Sequence, residues 1–267
     1  MMLQQKFQNL KEYIKDLGSL AIAYSGGVDS TFLIKVAYDV LGEKAVAVTA
    51  RSSTYPEREF REAVDYIKTI GAKHIVIESE ELDIEGFSTN PVNRCYYCKK
   101  ELFQKVQEVA KKLNIEFVAD GSNQDDLKDY RPGMEAAKEL KVVSPLKHVE
   151  LTKEDIRNLS KDLDLPTWDK PAFACLSSRF PYGHEITIEK LSMVDRAENF
   201  LMDLGFRQLR VRHHGELARI EIGEKEFQKF LQPSLVKKIA KELKAIGFTY
   251  VCFDMEGYRT GSMNETL

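Results

Sequence analysis

No apolar run in this sequence approaches the ~20 residues that cross a bilayer, so no helical membrane span is expected. Met1-Met2-Leu3-Gln4-Gln5-Lys6 holds no apolar signal core, and a cytoplasmic protein is expected. Charge of one sign is not in excess. Lys and Arg number 39 against 42 Asp and Glu, for a net charge of −3, and there is no basic tail. A nucleic-acid partner is therefore not expected. Cysteine is scarce, with four in 267 residues. At that density in a cytosolic chain, thiols point to metal ligands, nucleophiles or core residues rather than disulfides. Repeats and low-complexity tracts are absent. What remains is the composition of an ordinary globular protein, long enough for two domains at ~100–200 residues each.

Apolar runs of strand length fall at 20–24, 45–49, 74–78 and 117–119, with Val142-Val143 as a short fifth. Helical periodicity fills the gaps, with Phe32, Leu33, Val36, Ala37 and Val40 on one face, and Leu102, Phe103, Val106, Val109 and Ala110 on another. Strands alternating with helices predict an α/β fold, a doubly wound parallel sheet. Ligands of such sheets bind beyond the carboxyl ends of the strands. Three polar stretches fall at those ends: Ser25–Ser30, Thr49–Ser53 and Asp120–Asp126. Thr152 opens a further helix with Asp155 in capping-box position. Residues 166–186 show no period and hold Trp168 and Cys175, which suggests a functional loop. A helix over about 188–204, strands at 208–213 and 218–222, helices over 225–246 and a strand at 249–253 follow. The expected division is a nucleotide domain over residues 1–183 and a smaller α+β domain over 184–267.

The first of these strands runs into Ser25-Gly26-Gly27-Val28-Asp29-Ser30 and then a helix. A helix N-terminus presents unpaired N–H groups and the positive end of the dipole, which favours anions. Glycines let backbone approach a phosphate, and serines add donors. The loop lacks the lysine of a Walker loop and the G-x-G-x-x-G of a dinucleotide fold. It resembles the pyrophosphate loop of the ATP pyrophosphatase superfamily, whose domain is of the adenine nucleotide alpha hydrolase type. The resemblance implies that ATP is split between the α and β phosphates, an oxygen of the substrate is adenylated, and pyrophosphate leaves. It also implies that Ser25, Gly26, Gly27 and Ser30 cradle phosphate, that Asp29 holds Mg²⁺ with Asp126 as a helper, that Thr49 borders the adenosine, and that Lys99 or Lys100 reaches phosphate.

Cys95 and Cys98 form a C-x-x-C pair before a helix. The pair alone is compatible with a redox couple, half of a zinc site completed by His74 or His148, or two packed thiols. Cys175 lies between Lys170 and Arg179, and basic neighbours favour a thiolate. Cys252 reads as a core residue of a strand. Arg210 and Arg212 alternate on a predicted strand and so share a face, where guanidinium forks suit phosphate and carboxylate. His213-His214 is compatible with metal ligation or with a turn before Gly215. Trp168 and Tyr182 offer rings for stacking or for packing.

Taken together, Pro91–Lys99, Asp120-Gly121-Ser122-Asn123, Cys175–Gly183, Arg210–Gly215 and Glu256-Gly257-Tyr258-Arg259 resemble the LarE sulfur transferase family over nearly the whole chain. That family acts in assembly of the nickel-pincer nucleotide cofactor of lactate racemase. The resemblance implies an enzyme that adenylates the carboxylates of a pyridinium dicarboxylate mononucleotide and converts them to thiocarboxylates. Two sulfur sources occur in the family. In one branch a single cysteine, at the position of Cys175, gives up its own sulfur. In the other, three cysteines hold a 4Fe-4S cluster whose open iron carries a sulfide. With Cys95, Cys98 and Cys175 present, the cluster branch is expected. The resemblance further implies that Arg210 and Arg212 meet the substrate's phosphate and carboxylates and that Glu198 and Glu221 act beside Cys175 as acid–base or orienting groups. ATP, Mg²⁺ and the cluster are the expected cofactors, and a homo-oligomer joined through the C-terminal unit is the expected assembly. A tRNA thiolase with the same loop would need RNA-binding appendages and a basic groove, and the chain has neither zinc knuckles nor a basic tail. A non-catalytic nucleotide sensor would not need the loop around Cys175.

Overall fold

The computed structural model describes residues 2–128, 132–171 and 174–265. The chain divides into two compact units. One comprises Met1–Ser52, Glu57–Glu80 and Asn93–Ala172, the other Ser53–Pro56, Glu81–Val92 and Phe173–Leu267.

In the first unit α1 (Leu3–Leu17) leads to β1 (Leu20–Ala23), α2 (Val28–Leu41), β2 (Ala45–Arg51), α3 (Glu57–Ile70) and β3 (Lys73–Glu78). Then come α4 (Arg94–Lys112), β4 (Phe117–Ala119), α5 (Gly133–Glu139), α6 (Pro145–His148) and α7 (Lys153–Asp162). The four strands are all parallel, in the order β3-β2-β1-β4. Alternation along the strands sends side chains to two cores. Leu20, Ile22, Ala45 and Ala47 pack with Leu10, Ile14, Phe32, Ala63 and Ile156 of the helices on one face. Ala21, Val46, Val48 and Val118 pack with Phe103, Val106 and Ala110 of α4 on the other. Burial on both faces explains why β1 and β2 read as continuous apolar runs. The doubly wound α/β fold is thus present. Strand order reverses between β1 and β4, which makes the gap beyond their carboxyl ends the ligand position of the fold. Val142-Val143 does not make a fifth strand. Only an isolated parallel bridge, Ala119 with Val143, forms there. The capping box on α7 is in place, with Asp155 N–H donating to Thr152 Oγ1 at 3.1 Å and Thr152 N–H to Asp155 Oδ2 at 3.1 Å.

The second unit contains α8 (Ile188–Asp203), β5 (Leu209–His214), β6 (Leu217–Ile222), α9 (Phe227–Phe230), α10 (Pro233–Ile246) and β7 (Tyr250–Phe253). β5 pairs antiparallel with β6, and β6 parallel with β7. One face of this sheet is apolar: Val211, Ala218, Ile220 and Ile222 pack with Ala197, Leu201, Ile239 and Leu243 of α8 and α10. Side-chain alternation puts Arg210, Arg212, Arg219 and Glu221 on the other face.

The Cys175 segment is tied into the second unit. Leu176 N–H donates to Thr54 O at 2.9 Å, Gly183 N–H to Asn90 O at 3.0 Å and Ile186 N–H to Ser88 O at 2.8 Å. Thr54, Ser88 and Asn90 lie in two short stretches of the second unit that are remote in sequence from the rest of it. Among the described residues, no helix is long and apolar enough to cross a membrane.

Candidate functional site

The loop after β1 turns at Gly26, whose φ of 63° lies in the left-handed region. A Cβ there would stand 2.5 Å from Ala63 Cβ, so α3 and the loop both demand glycine. Gly27 is the N-cap of α2, and no side chain caps it. Ser30 Oγ accepts the Ser25 N–H at 3.3 Å and lies 3.2 Å from Ser25 Oγ, which ties the loop's two hydroxyls together. Gly121, in the loop after β4, is equally constrained: a Cβ would meet Ser30 N at 3.1 Å. The loops after β1 and β4 therefore touch at the topological switch point.

Asp29 stands where those loops meet. Its Oδ2 accepts Lys153 Nζ at 2.5 Å, and its Oδ1 lies 3.5 Å from Asn123 Nδ2. Asp126 is buried, with Oδ2 accepting the Asn123 N–H at 2.9 Å, and Asp125 Oδ2 accepts the Lys153 N–H at 2.8 Å. Lys153 begins α7 and escaped the sequence reading. Its one sequence signal was its position just inside the capping box, and nothing local to it announces a phosphate. Thr49 is buried, its Oγ1 donating to Tyr24 O at 2.8 Å and lying 2.8 Å from His74 Nε2. Burial holds the His74 imidazole below its usual pKa and lifts the Tyr24 phenol to about 12. Lys99 Nζ lies over the Phe103 ring at 5.4 Å, and Lys100 is bonded to Tyr96 and Glu139.

Cys95 and Cys98 lie three residues apart in the first turns of α4, so they share a face. No disulfide engages any of the four cysteines. Among the described residues, no three His, Cys, Asp or Glu side chains are gathered as a metal site. For Mg²⁺ this is no obstacle, since that ion takes one or two carboxylates together with substrate phosphates. For an iron–sulfur cluster, the first unit offers the two thiols of α4, and Cys175 belongs to the second unit.

In the second unit Cys175 precedes a short 3₁₀ turn, Leu176–Arg179. Its carbonyl accepts from Ser178 N–H (3.0 Å), Ser178 Oγ (2.8 Å) and Arg179 Nη1 (3.0 Å). Arg179 is fully buried and forks onto Glu198, with Nε to Oε1 at 3.0 Å and Nη2 to Oε2 at 2.8 Å. Burial opposes ionisation of Glu198, but the Arg179 charge outweighs it and holds the carboxyl below its usual range. Glu198 Oε1 also accepts the Val211 N–H at 2.9 Å, which joins α8 to β5. Arg212 forks in the same way onto Glu221, at 3.0 and 2.7 Å, and its Nη1 donates to Ser178 O at 3.2 Å. Arg210 lies 5.2 Å from the Tyr258 ring, and burial and then the Arg179 charge lower its pKa. The turn that carries Cys175 is thus held at both ends by buried arginines, each neutralised by one carboxylate. The sequence marked Arg179 only as a basic neighbour of Cys175; its pairing with Glu198 was not visible there.

The remaining candidates are accounted for locally. His213 is buried, stacked on Phe180 at 5.1 Å and near Phe248 at 5.5 Å, and burial lowers its pKa. Tyr182 Oη donates to Asn264 Oδ1 at 3.1 Å, and Trp168 is partly exposed beneath Lys161 Nζ at 4.9 Å. Cys252 pairs in register with Arg219, and burial raises its pKa.

Comparison with known proteins gives relatives matched over nearly the whole chain and others matched in part. The chain is 47% identical over 266 residues to the uncharacterized protein slr1717 of Synechocystis, covering 100% of this chain and 99% of that one. It is 36% identical over 266 residues to the pyridinium-3,5-bisthiocarboxylic acid mononucleotide synthase of Lactiplantibacillus plantarum, covering 99% and 96%. A glutamine-hydrolyzing GMP synthase of Dehalococcoides mccartyi is 26% identical over 223 residues, 75% of this chain and 41% of that one. No family model matches the chain.

Proposed function

This chain belongs to the LarE family of ATP-dependent sulfur-transferring synthases, and from that premise we propose that it converts the carboxylates of a pyridinium dicarboxylate mononucleotide to thiocarboxylates. ATP adenylates a substrate carboxylate, pyrophosphate leaves, and a sulfur nucleophile then displaces AMP from the acyl carbon. The observation that carries the reading is the meeting of Ser25–Ser30 with the Asp120–Asp126 loop at the switch point, with Asp29 and Lys153 paired there. Ser25, Gly26, Gly27 and Ser30 bind the departing pyrophosphate through N–H and hydroxyl groups. Asp29, helped by Asp126, holds Mg²⁺, which supplies charge neutralisation to the phosphates. Lys153 leaves Asp29 for a phosphate oxygen as the nucleotide enters, and so takes the place of the lysine that a Walker loop would carry. Thr49 fixes the edge of the adenosine pocket through its bond to Tyr24, and Lys99 approaches the phosphates.

In the second unit Cys175 is the nucleophilic thiol or its metal-bound equivalent. Arg210 and Arg212 offer positive charge to the substrate's phosphate and carboxylates. Glu198 and Glu221 orient those arginines and Arg179. Three of the four thiols, Cys95, Cys98 and Cys175, would hold a 4Fe-4S cluster that brings the sulfur, and two of the three lie on one turn of α4. A homo-oligomer is proposed as the working form. With ATP, Mg²⁺ and the mononucleotide supplied together, AMP and pyrophosphate form; equal AMP formation without the mononucleotide refutes the reading. Anaerobic purification, iron and sulfide assay, and intact mass after turnover separate the sulfur sources. About four irons per chain, lost in Cys95→Ala, supports the cluster, whereas an iron-free protein in which Cys175 loses its sulfur assigns the donor to that cysteine.

A further inference from the structure

We propose that Ser262, on the C-terminal strap, is a positioning residue of the sulfur-transfer site, which it serves by setting the Arg212–Glu221 pair. The inference rests on the proposed binding of the mononucleotide by Arg212. Ser262 is nearly fully buried, so its hydroxyl needs partners within the protein. Its Oγ donates to Glu221 Oε1 at 2.7 Å and accepts from Arg212 Nη2 at 2.9 Å. It therefore closes a three-membered ring of hydrogen bonds with the fork between the two charges. Arg212 in turn donates through Nη1 to Ser178 O, the far end of the turn that begins at Cys175. A chain of contacts runs from the strap to the turn of the reactive thiol, entirely within the second unit.

The strap is built to deliver this hydroxyl. Gly257 turns it with a φ of 71°, and a Cβ there would collide with Phe227 Cζ at 2.5 Å and Ile222 O at 2.6 Å. Tyr258 N–H then donates to Ile222 O at 2.9 Å and sets its ring 5.2 Å from the Arg210 guanidinium. Arg259 is bonded to Glu265 and Asp254, and Asn264 takes the Tyr182 hydroxyl. Gly261, again left-handed at 81°, points the next residue inward. Glu221 accepts from Arg212, Arg219 and Ser262, so its charge stays compensated without the serine. Loss of the hydroxyl consequently affects the direction of Arg212 more than the fold.

The test compares Ser262→Ala and Ser262→Thr with the wild-type chain by calorimetric titration with the pyridinium dicarboxylate mononucleotide, alongside ATP titration and thermal melting. A lost buried hydrogen bond predicts about three- to tenfold weaker mononucleotide binding in Ser262→Ala. ATP affinity is unchanged, and binding returns in Ser262→Thr, which keeps the hydroxyl. Mononucleotide binding by Ser262→Ala equal to wild type overturns the inference and leaves the proposed function standing. So does equal impairment of both variants, which would mark a packing role. Failure of the wild-type chain to bind the mononucleotide overturns both.

Discussion

Lys153 Nζ and Asp29 Oδ2 are in contact at 2.5 Å across 124 positions of sequence. The carboxylate at the helix start of a phosphate-binding loop is thus engaged by an ammonium delivered from another helix. A hydrogen bond to a charged group is worth about 1.5–3 kcal/mol, so Lys153→Gln weakens ATP binding by about ten- to a hundredfold. Asp29→Ala abolishes AMP formation. Titration with ATP and an AMP assay check the two.

Gly26→Ala tests the loop's shape. A left-handed residue with a side chain costs of order 1–3 kcal/mol, and the contact with Ala63 adds to this. Chemical denaturation of Gly26→Ala and of Gly26→Ala combined with Ala63→Gly separates the two costs. The second change recovers only the part due to the clash.

Breaking one partner out of a buried ion pair costs about 3–5 kcal/mol, because the other charge is left stranded. Glu198→Ala strands Arg179 and loosens the carbonyls of Ala174 and Cys175 that Arg179 holds. Denaturation of Glu198→Ala gives a loss of that size, while Glu198→Gln, which still accepts from Val211, loses less. Alkylation of Cys175 changes rate in Glu198→Ala.

Burial lowers the pKa of His74, His213 and His214 in the folded chain. The unfolded chain therefore binds protons at these sites at higher pH than the folded one does. Their contribution to stability is full above the ordinary histidine pKa of about 6.5 and is lost as pH falls below it. Melting temperature drops from pH 7 to pH 5, and His213→Phe, which fits between Phe180 and Phe248, flattens that drop.

The parallel sheet and its phosphate loop were legible because both depend on local pattern. Apolar runs mark β1 and β2, and the glycines mark a left-handed turn. Lys153 was not legible, since its partner lies on a different helix and no periodicity links the two. The ties of the Cys175 segment were hidden for a similar reason. The turn at 176–179 is held by Thr54, by Glu198 and by Arg212, which come from three separate parts of the sequence. Arg210 and Arg212 were visible as one face of a strand, but the bonds that orient Arg212 toward Glu221, Ser178 and Ser262 are a product of tertiary packing. Val142-Val143 had the β propensity of a strand and formed a single bridge, because the chain turns at Ser144-Pro145 into α6.

The central claim is that ATP cleavage on the Ser25–Ser30 loop drives exchange of a carboxylate oxygen for sulfur on the mononucleotide. Mass spectrometry of that nucleotide after anaerobic reaction with ATP and Mg²⁺ tests it most directly. The account requires a product heavier by the difference between one sulfur and one oxygen, formed in step with AMP and missing in Asp29→Ala. Recovery of the nucleotide at its starting mass while AMP accumulates would contradict it.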